Sequence, residues 1–503
     1  MPLAVIYSRA QDGVDAPSVR VEVNLAGGLP GISIVGLPEA AVKESKDRVR
    51  AAISNSRFEF PARRITINLS PADLPKEGGR FDLPIALGIL AASKQIPTPL
   101  FSEYEFVGEL SLSGELRPIH GALPVALASQ KASRGLILPM ENAAEASLIE
   151  GLDIRAARHL LDVCQFMASG NSLDRYQEQA IPSLPEYNFD LADVRGQAHA
   201  RRALEVAAAG KHHILMIGPP GNGKTMLATR LGTILPPMTD KEALESAALI
   251  SIGQGGFRID QWKQRPIRSP HHTASGVALV GGGSNPRPGE ISLAHEGVLF
   301  LDELTEFDRR VLEVLREPLE SGQITISRAA RQADFPARFQ LVAAMNPCPQ
   351  GYDCDFKDNC HCTPEQQRRH RSRISAPLLD RIDIQIEVPK LSKEALRSKE
   401  ATEDSRTVRE RVTTARERQQ VRCGKPNAEM NNREVEKYCH LDDETQTLLD
   451  TAMARFKLSA RAYHRILKVA RTIADIANDD DIRITHITEA LSYRSMDRWL
   501  TGR

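Results

Sequence analysis

Eight consecutive residues restrict this chain more than any other part of it: Gly218, Pro219, Pro220, Gly221, Asn222, Gly223, Lys224 and Thr225. The apolar run Ile214-Leu-Met-Ile217 stands before them and the helix-compatible Met226-Leu-Ala228 follows. A strand that empties into a glycine-rich turn and then a helix leaves backbone N–H groups at the helix start free to cradle phosphate. The expected ligand is ATP or GTP. The Lys224 ammonium would lie on the β- and γ-phosphates, and the Thr225 hydroxyl on Mg²⁺.

Two further apolar strands end in residues that suit the same ligand. Val298-Leu-Phe-Leu301 runs into Asp302 and Glu303. Asp302 would hold Mg²⁺, directly or through water. Glu303 would orient and deprotonate the attacking water, because phosphoryl transfer asks for an aligned nucleophile more than for covalent chemistry. The alternative is an acid pair that caps the next helix. Leu341-Val-Ala-Ala-Met345 ends at Asn346, whose amide could hold the γ-phosphate or the water, or could turn the chain before Pro347. Arg381, in Leu378-Leu-Asp-Arg381, and Arg461, in Ser459-Ala-Arg461, carry guanidinium forks suited to transition-state charge. Either could equally be a surface ion-pair residue.

With 503 residues, 41% of them hydrophobic, the chain has room for about three domains. Residues 1–170 mix strand-like alternation (Val19–Val23, Ile65–Leu69) with a helix-like stretch from Pro38, which predicts an α+β domain. Residues 171–190, with Pro182 and Pro185, read as a linker. Short apolar strands alternate with helices over 191–390 and predict a mostly parallel sheet covered by helices. Residues 391–503 turn helical, most clearly at Leu458–Ala477, where Ile466, Leu467, Ala470, Ile473 and Ala474 recur at helical spacing. Lys+Arg and Asp+Glu both count 65, so any nucleic-acid contact must come from locally clustered cations. No stretch approaches the ~18 apolar residues of a membrane span, so a cytoplasmic protein without a membrane partner is expected.

Cys348, Cys354, Cys360 and Cys362 crowd into a loop-like stretch with Pro349, Gly351 and Asp353. Four thiolates could close a tetrahedral, structural Zn²⁺ site, although the spacings are not the usual two-to-four pairs. Reduced free thiols are the alternative. His361 and His370 are possible substitute ligands. Arg368, Arg369, Arg371 and Arg373 follow, and Arg328 and Arg331 lie between the strand-like Ile324–Ile326 and Phe339–Val342.

The set Gly218–Thr225, Gly297-Val-Leu-Phe-Leu-Asp-Glu303, Met345-Asn-Pro347, Ser375-Ala-Pro-Leu-Leu-Asp-Arg-Ile-Asp383 and Ser459-Ala-Arg461 resembles the magnesium-chelatase-like branch of the AAA+ ATPases. The resemblance covers nearly the whole chain, and Ser269–Ser275 through Pro286–Glu290 is similar to an insert of that branch. The first domain resembles the Lon-protease fold in Gly108–Pro118 and Pro75–Gly78. The implied fold is α/β, an AAA+ P-loop core with a C-terminal helical lid, preceded by the α+β Lon-like domain. By the same resemblance Asn346 is sensor 1, Arg381 an arginine finger acting in the neighbouring subunit, and Arg461 sensor 2. An arginine acting in trans implies a ring, and the family implies a homo-hexamer.

The implied activity is that of an ATP- and Mg²⁺-dependent motor on single-stranded or branched DNA. It resembles helicases that promote branch migration during natural transformation and homologous recombination. Arg328 and Arg331 would contact the DNA backbone from a hairpin facing the pore. By this resemblance Arg80 stands where Lon-type proteases place their nucleophilic Ser, and Leu123 about where their Lys would be, so peptide hydrolysis is not expected and the domain is expected to bind or assemble. The competing implication is a chelatase-type ATPase subunit that remodels a protein partner, which would be expected to lack residues 1–170. A non-catalytic scaffold fits poorly with Lys224, Asp302 and Glu303 together.

Overall fold

The computed structural model describes residues 3–170, 172–177, 187–253, 255–283, 286–328, 331–350, 360, 362–390, 402–456, 458–496 and 499–500. They form two compact units, Met1–Ser183 with Ala247–Trp262, and Leu184–Ser246 with Lys263–Arg503. No helix among the described residues is long and apolar enough to cross a membrane.

The first unit is built on β1 (Leu3–Arg9), β2 (Ser18–Ala26), β3 (Gly31–Val35), β4 (Arg64–Ser70), β5 (Tyr104–Phe106), β6 (Gly135–Pro139) and β7 (Ile154–Ala157). They make a mixed sheet of order β3-β4-β2-β1-β5-β6-β7. Alternation writes this sheet: in β2, Val19, Val21, Val23 and Leu25 are buried and the residues between them are not. Helix α1 (Ala40–Asn55) buries a stripe of Val42, Val49, Ala52 and Ile53. Helix α2 (Asp82–Ala92) is apolar beyond its first residue and buried along its whole length. Arg80 and Leu123 both point inward. The Arg80 guanidinium donates to Gln11 Oε1 (2.7 Å) and to the His120 carbonyl (2.9 Å), and burial lowers its pKa to about 10. The segment Ala247–Trp262 joins this unit through its backbone, Gly121 N–H donating to the Ser251 carbonyl at 3.0 Å.

Glu145 is buried beneath Leu123, whose N–H it accepts at 3.3 Å. Burial pushes its carboxyl up to about 7, only partly opposed by its hydrogen bonds. The folded state therefore keeps a proton that the unfolded chain releases near its ordinary value. Stability is fully present below about pH 4.5 and declines as pH rises toward 7. Glu145→Gln keeps an acceptor and removes the ionisation. Its melting midpoint should match the parent near pH 4.5 and exceed it at pH 8, by the equivalent of on the order of 3 kcal/mol. Equal midpoints at pH 8 would show that the carboxyl ionises freely in the fold.

The second unit carries β8 (Ile214–Ile217), β9 (Ile267–Arg268), β10 (Val298–Leu301), β11 (Gln323–Arg328), β12 (Arg331–Pro336), β13 (Gln340–Met345) and β14 (Ile384–Glu387). Five of them form an all-parallel sheet of order β9-β10-β13-β8-β14. β8, β10 and β13 are buried at every position, which is why they read as unbroken apolar runs. β11 and β12 pair separately as an antiparallel hairpin whose register ends with Arg328 opposite Arg331. The sequence pattern places the second arm of that hairpin at Phe339–Val342. That segment instead feeds β13, because six consecutive buried residues belong in the covered sheet, whereas β12 alternates over a short stretch with only Ala333 and Phe335 on its apolar side.

The C-terminal part is helical. Helix α3 (Lys224–Ile234) comes after the glycine-rich turn that follows β8, while in the C-terminal part helix α4 (Ala460–Ile476) starts at a Ser459 side-chain cap on the Ala462 N–H and buries Ile466, Leu467, Ala470, Ile473 and Ala474. Arg465 of α4 pairs with Asp383 at the entry to β14 and donates to the Arg381 carbonyl at 3.0 Å. Asp383 is buried, which alone would raise its pKa, but Arg465 and His212 hold it well below the ordinary range.

Candidate nucleotide site

The loop after β8 is shaped by close packing. The Gly218 N–H donates to the Met345 carbonyl (3.2 Å), and a side chain on Gly218 would overlap the Val388 carbonyl oxygen. Gly223, with φ 80°, turns the chain into α3, a left-handed conformation that glycine takes at little cost. Asn222 is buried, its carbonyl accepting from Gln197 Nε2 at 2.8 Å.

Lys224 bends back over the loop. Its ammonium donates to the carbonyls of Gly218 (2.7 Å) and Pro219 (2.9 Å) and to Asn346 Oδ1 (3.2 Å). Burial lowers its pKa, and the charges of Asp302 and Glu303 oppose that shift. The Thr225 hydroxyl donates to Asp302 Oδ2 at 2.6 Å, and Asp302 Oδ1 accepts the Glu303 N–H at 2.9 Å. Thus the ends of β8, β10 and β13 bring Lys224, Thr225, Asp302, Glu303 and Asn346 together.

Glu303 adopts φ 51°, a region uncommon outside glycine. Its Oε2 lies 3.4 Å from His272 Nδ1, within ion-pair reach, and His272 stacks on His271 with ring centroids 4.1 Å apart. The apolar run before Asn346 is legible as a strand, whereas the partner behind that residue is remote in sequence. His370 Nε2 donates to the Asn346 carbonyl at 3.0 Å, so that histidine braces a strand end. Burial holds His370 below the ordinary imidazole range. For His272 the only sequence signal was the His271-His272 pair inside the insert-like segment.

Arg381 and Arg461 lie elsewhere. Arg381 donates to the Pro377 carbonyl (2.8 Å) and pairs with Glu320, while Arg461 is exposed in the first turn of α4. The Glu320 carboxyl is held below its usual range by its bond to Arg381 first, with smaller help from the Arg461 charge. Neither arginine contacts Lys224, Thr225, Asp302 or Glu303 among the described residues. Arg328 and Arg331 face each other across the last described pair of the β11–β12 hairpin.

Two clusters have metal-ligand chemistry. The sulfurs of Cys348, Cys360 and Cys362 lie within 4.8 Å of one another, mostly buried; Cys354 and His361 lie outside the described residues. Glu245, His295 and Glu296 form the second. There Lys211 sits 2.8 Å and Arg338 2.7 Å from Glu296, Arg338 also pairs with Glu245, and His295 is 3.3 Å from Glu245. Burial would raise Glu296, but Lys211 chiefly, with His295 and Arg338, brings it down to about 2. Those cations supply the charge that a metal would, so this cluster is an ion-pair network.

Fold and site together are those of an AAA+ nucleotide-binding protein. Family profiles described as magnesium chelatase, subunit ChlI (residues 190–396), subunit ChlI of Mg-chelatase (21–142) and magnesium chelatase, subunit ChlI C-terminal (402–494) match the chain. It is similar to competence protein ComM of Haemophilus influenzae, 53% identical with 99% of each chain covered. It is likewise similar to the protein YifB of Escherichia coli, 51% identical over 99% of this chain and 98% of that one. Lon protease 2 of Bacillus subtilis is 24% identical over 33% of this chain and 34% of its own. The chain belongs to the magnesium-chelatase-like AAA+ family, in the group of ComM and YifB. Membership in it implies ATP and Mg²⁺ as ligands.

Gly218→Ala tests the packing under the loop. The new methyl must displace the Val388 carbonyl, which β8 holds through the Val388 N–H to Ile217 carbonyl bond (2.7 Å). The variant should lose about 1–3 kcal/mol of stability and most of its affinity for a fluorescent ATP analogue. A parental melt with parental binding would mean that the backbone yields.

Proposed function

We propose that the chain is the subunit of a homo-hexameric, ATP-driven motor that acts on DNA, a helicase promoting branch migration during natural transformation and homologous recombination in the cytoplasm. The observation that carries the motor reading is the convergence of Lys224, Thr225, Asp302, Glu303 and Asn346 at three neighbouring strand ends. In this reading Gly218–Thr225 wrap the phosphates, with Lys224 exchanging its loop carbonyls for phosphate oxygens. Thr225 and Asp302 offer hard oxygens 2.6 Å apart, the donor set that Mg²⁺ takes, and the ion would supply charge neutralisation. Glu303 takes the proton of the attacking water, and His272 positions the Glu303 carboxylate. Asn346 orients the γ-phosphate side as sensor 1, Arg381 completes the site of the neighbouring subunit, and Arg461 acts as sensor 2. That Arg381 and Arg461 contact none of Lys224, Thr225, Asp302 and Glu303 among the described residues supports roles that need a second subunit or a bound nucleotide.

DNA as the partner is supported by the likeness to a competence protein and by the paired Arg328 and Arg331 near the tip of a hairpin. The chelatase-type reading, a subunit remodelling a protein partner, draws support from the family descriptions. One of them covers 21–142, so the first domain by itself does not argue against it. Full-length likeness at 53% favours the DNA motor.

ATPase turnover should rise several-fold with single-stranded or four-way-junction DNA, and Glu303→Gln should bind the nucleotide while slowing turnover by roughly 10²–10³. No response to any DNA would sink the DNA reading, whereas parental turnover in Glu303→Gln would remove that residue as the base.

Cys348, Cys360 and Cys362, with Cys354, are proposed to hold one structural Zn²⁺. Metal analysis of the purified protein should find about one zinc per chain. The metal should be lost in Cys360→Ser/Cys362→Ser together with several degrees of melting temperature; metal-free parent protein would leave four plain thiols.

A further inference from the structure

The first unit contains an open cleft of about 420 Å³ that none of the motor residues lines. Helix α1 contributes Lys46 and Arg50, one helical turn apart on the same face, together with Asp47. The connection into β4 contributes Phe60 and Arg63, and the start of β3 contributes Gly31, whose N–H donates to the Arg63 carbonyl at 3.3 Å. The Arg50 guanidinium lies over the Phe60 ring, 5.3 Å from its centroid.

The cleft gathers three cations with few acids. Other arginines of the unit are paired, Arg9 and Arg134 with Glu105, Arg48 with Asp82, Arg155 and Arg175 with Asp153, while Arg80 is held by neutral oxygens. Lys46, Arg50 and Arg63 have no carboxylate within 4.0 Å among the described residues, and Asp47 is the one acid lining the cleft. Unmatched cations around a concave surface attract a polyanion, and a guanidinium stacked on an aromatic ring is a platform on which a base can stack. A phosphodiester strand offers both groups at once. An acidic peptide offers the charge without the stacking face.

We propose that this cleft of the N-terminal domain binds a single nucleic-acid strand, with Lys46, Arg50 and Arg63 on its phosphates and a base against Arg50 and Phe60. It rests on the DNA reading of the motor for the identity of the partner, but on different residues. The test uses the full chain and a fluorescein-labelled oligothymidine. Anisotropy is followed at a series of salt concentrations, with ATPase measured in parallel. Lys46→Glu/Arg50→Glu/Arg63→Glu should weaken binding at least tenfold and make the salt dependence shallower by roughly two in log–log slope. Phe60→Leu should lower affinity about tenfold with the slope unchanged. Basal turnover and the melt should stay at parental values in both, since these side chains border solvent. Arg328→Ala/Arg331→Ala should lose DNA-stimulated turnover while keeping oligonucleotide binding. Parental affinity and slope in the triple variant would overturn the cleft and leave the motor reading standing. Cleft-dependent binding without DNA-stimulated turnover would overturn the motor reading alone. A polyglutamate chain that displaces the oligonucleotide at equal charge concentration would replace the strand by an acidic peptide.

Discussion

The burial of one ammonium group governs the ATPase core. Lys224 is held by two carbonyls of its own loop and by Asn346 on the adjacent strand end, so the loop conformation, the β8–β13 pairing and the side chain are fixed by one another. A buried cation that donates only to neutral oxygens has a lowered pKa because the surroundings do not fully replace its water. A phosphate in the loop would make good that deficit with full negative charge. The site is therefore organised before the ligand arrives, and its unmet electrostatic demand matches the ligand's chemistry.

The same economy extends to the acids. Asp302 accepts from Thr225 through one oxygen and from the Glu303 backbone through the other, so the carboxylate is oriented from both sides. That second bond is made by the N–H of Glu303, the residue in the left-handed turn, whose own carboxylate lies toward His272. A backbone conformation uncommon for a glutamate thus serves both acids: it lets Asp302 be held and lets Glu303 reach out.

How much of this was legible in the sequence follows from how local each feature is. The phosphate loop, the apolar strands and the acids at a strand end are written in contiguous residues, and β8, β10 and β13 lie where their apolar runs predict. Helix α4 begins two residues inside the periodic stretch Leu458–Ala477, where Ser459 caps it. The misses are all long-range or disguised. β12 gave a weak signal because its alternation is short, with only Ala333 and Phe335 on the apolar side, and the neighbouring buried strand carries the stronger pattern. His272 approaches Glu303 across some thirty residues of chain, and Arg381 meets Glu320 across sixty-one, contacts that no period or spacing encodes. The segment Ala247–Trp262 packs with the first unit although it begins within one continuous helix, Asp240–Ile252. Helical periodicity reports that a face is buried and is silent about what covers it.

The two metal-like clusters show why residue type alone is a weak guide and charge balance a better one. Glu245, His295 and Glu296 have ligand chemistry and converge, yet Lys211 and Arg338 already neutralise them, and the depressed Glu296 pKa records that saturation. A divalent ion there would have to displace two cations that are hydrogen-bonded in place. The three cysteines differ: around Cys362, burial and the neighbouring thiols Cys348 and Cys360 all raise the thiol pKa, so each disfavours a bare thiolate. Thiols packed that close together favour their protonated form; a divalent ion would displace those protons and take the sulfurs as ligands. The proposed zinc therefore belongs to the cysteine cluster and not to the one whose acids Lys211 and Arg338 already neutralise.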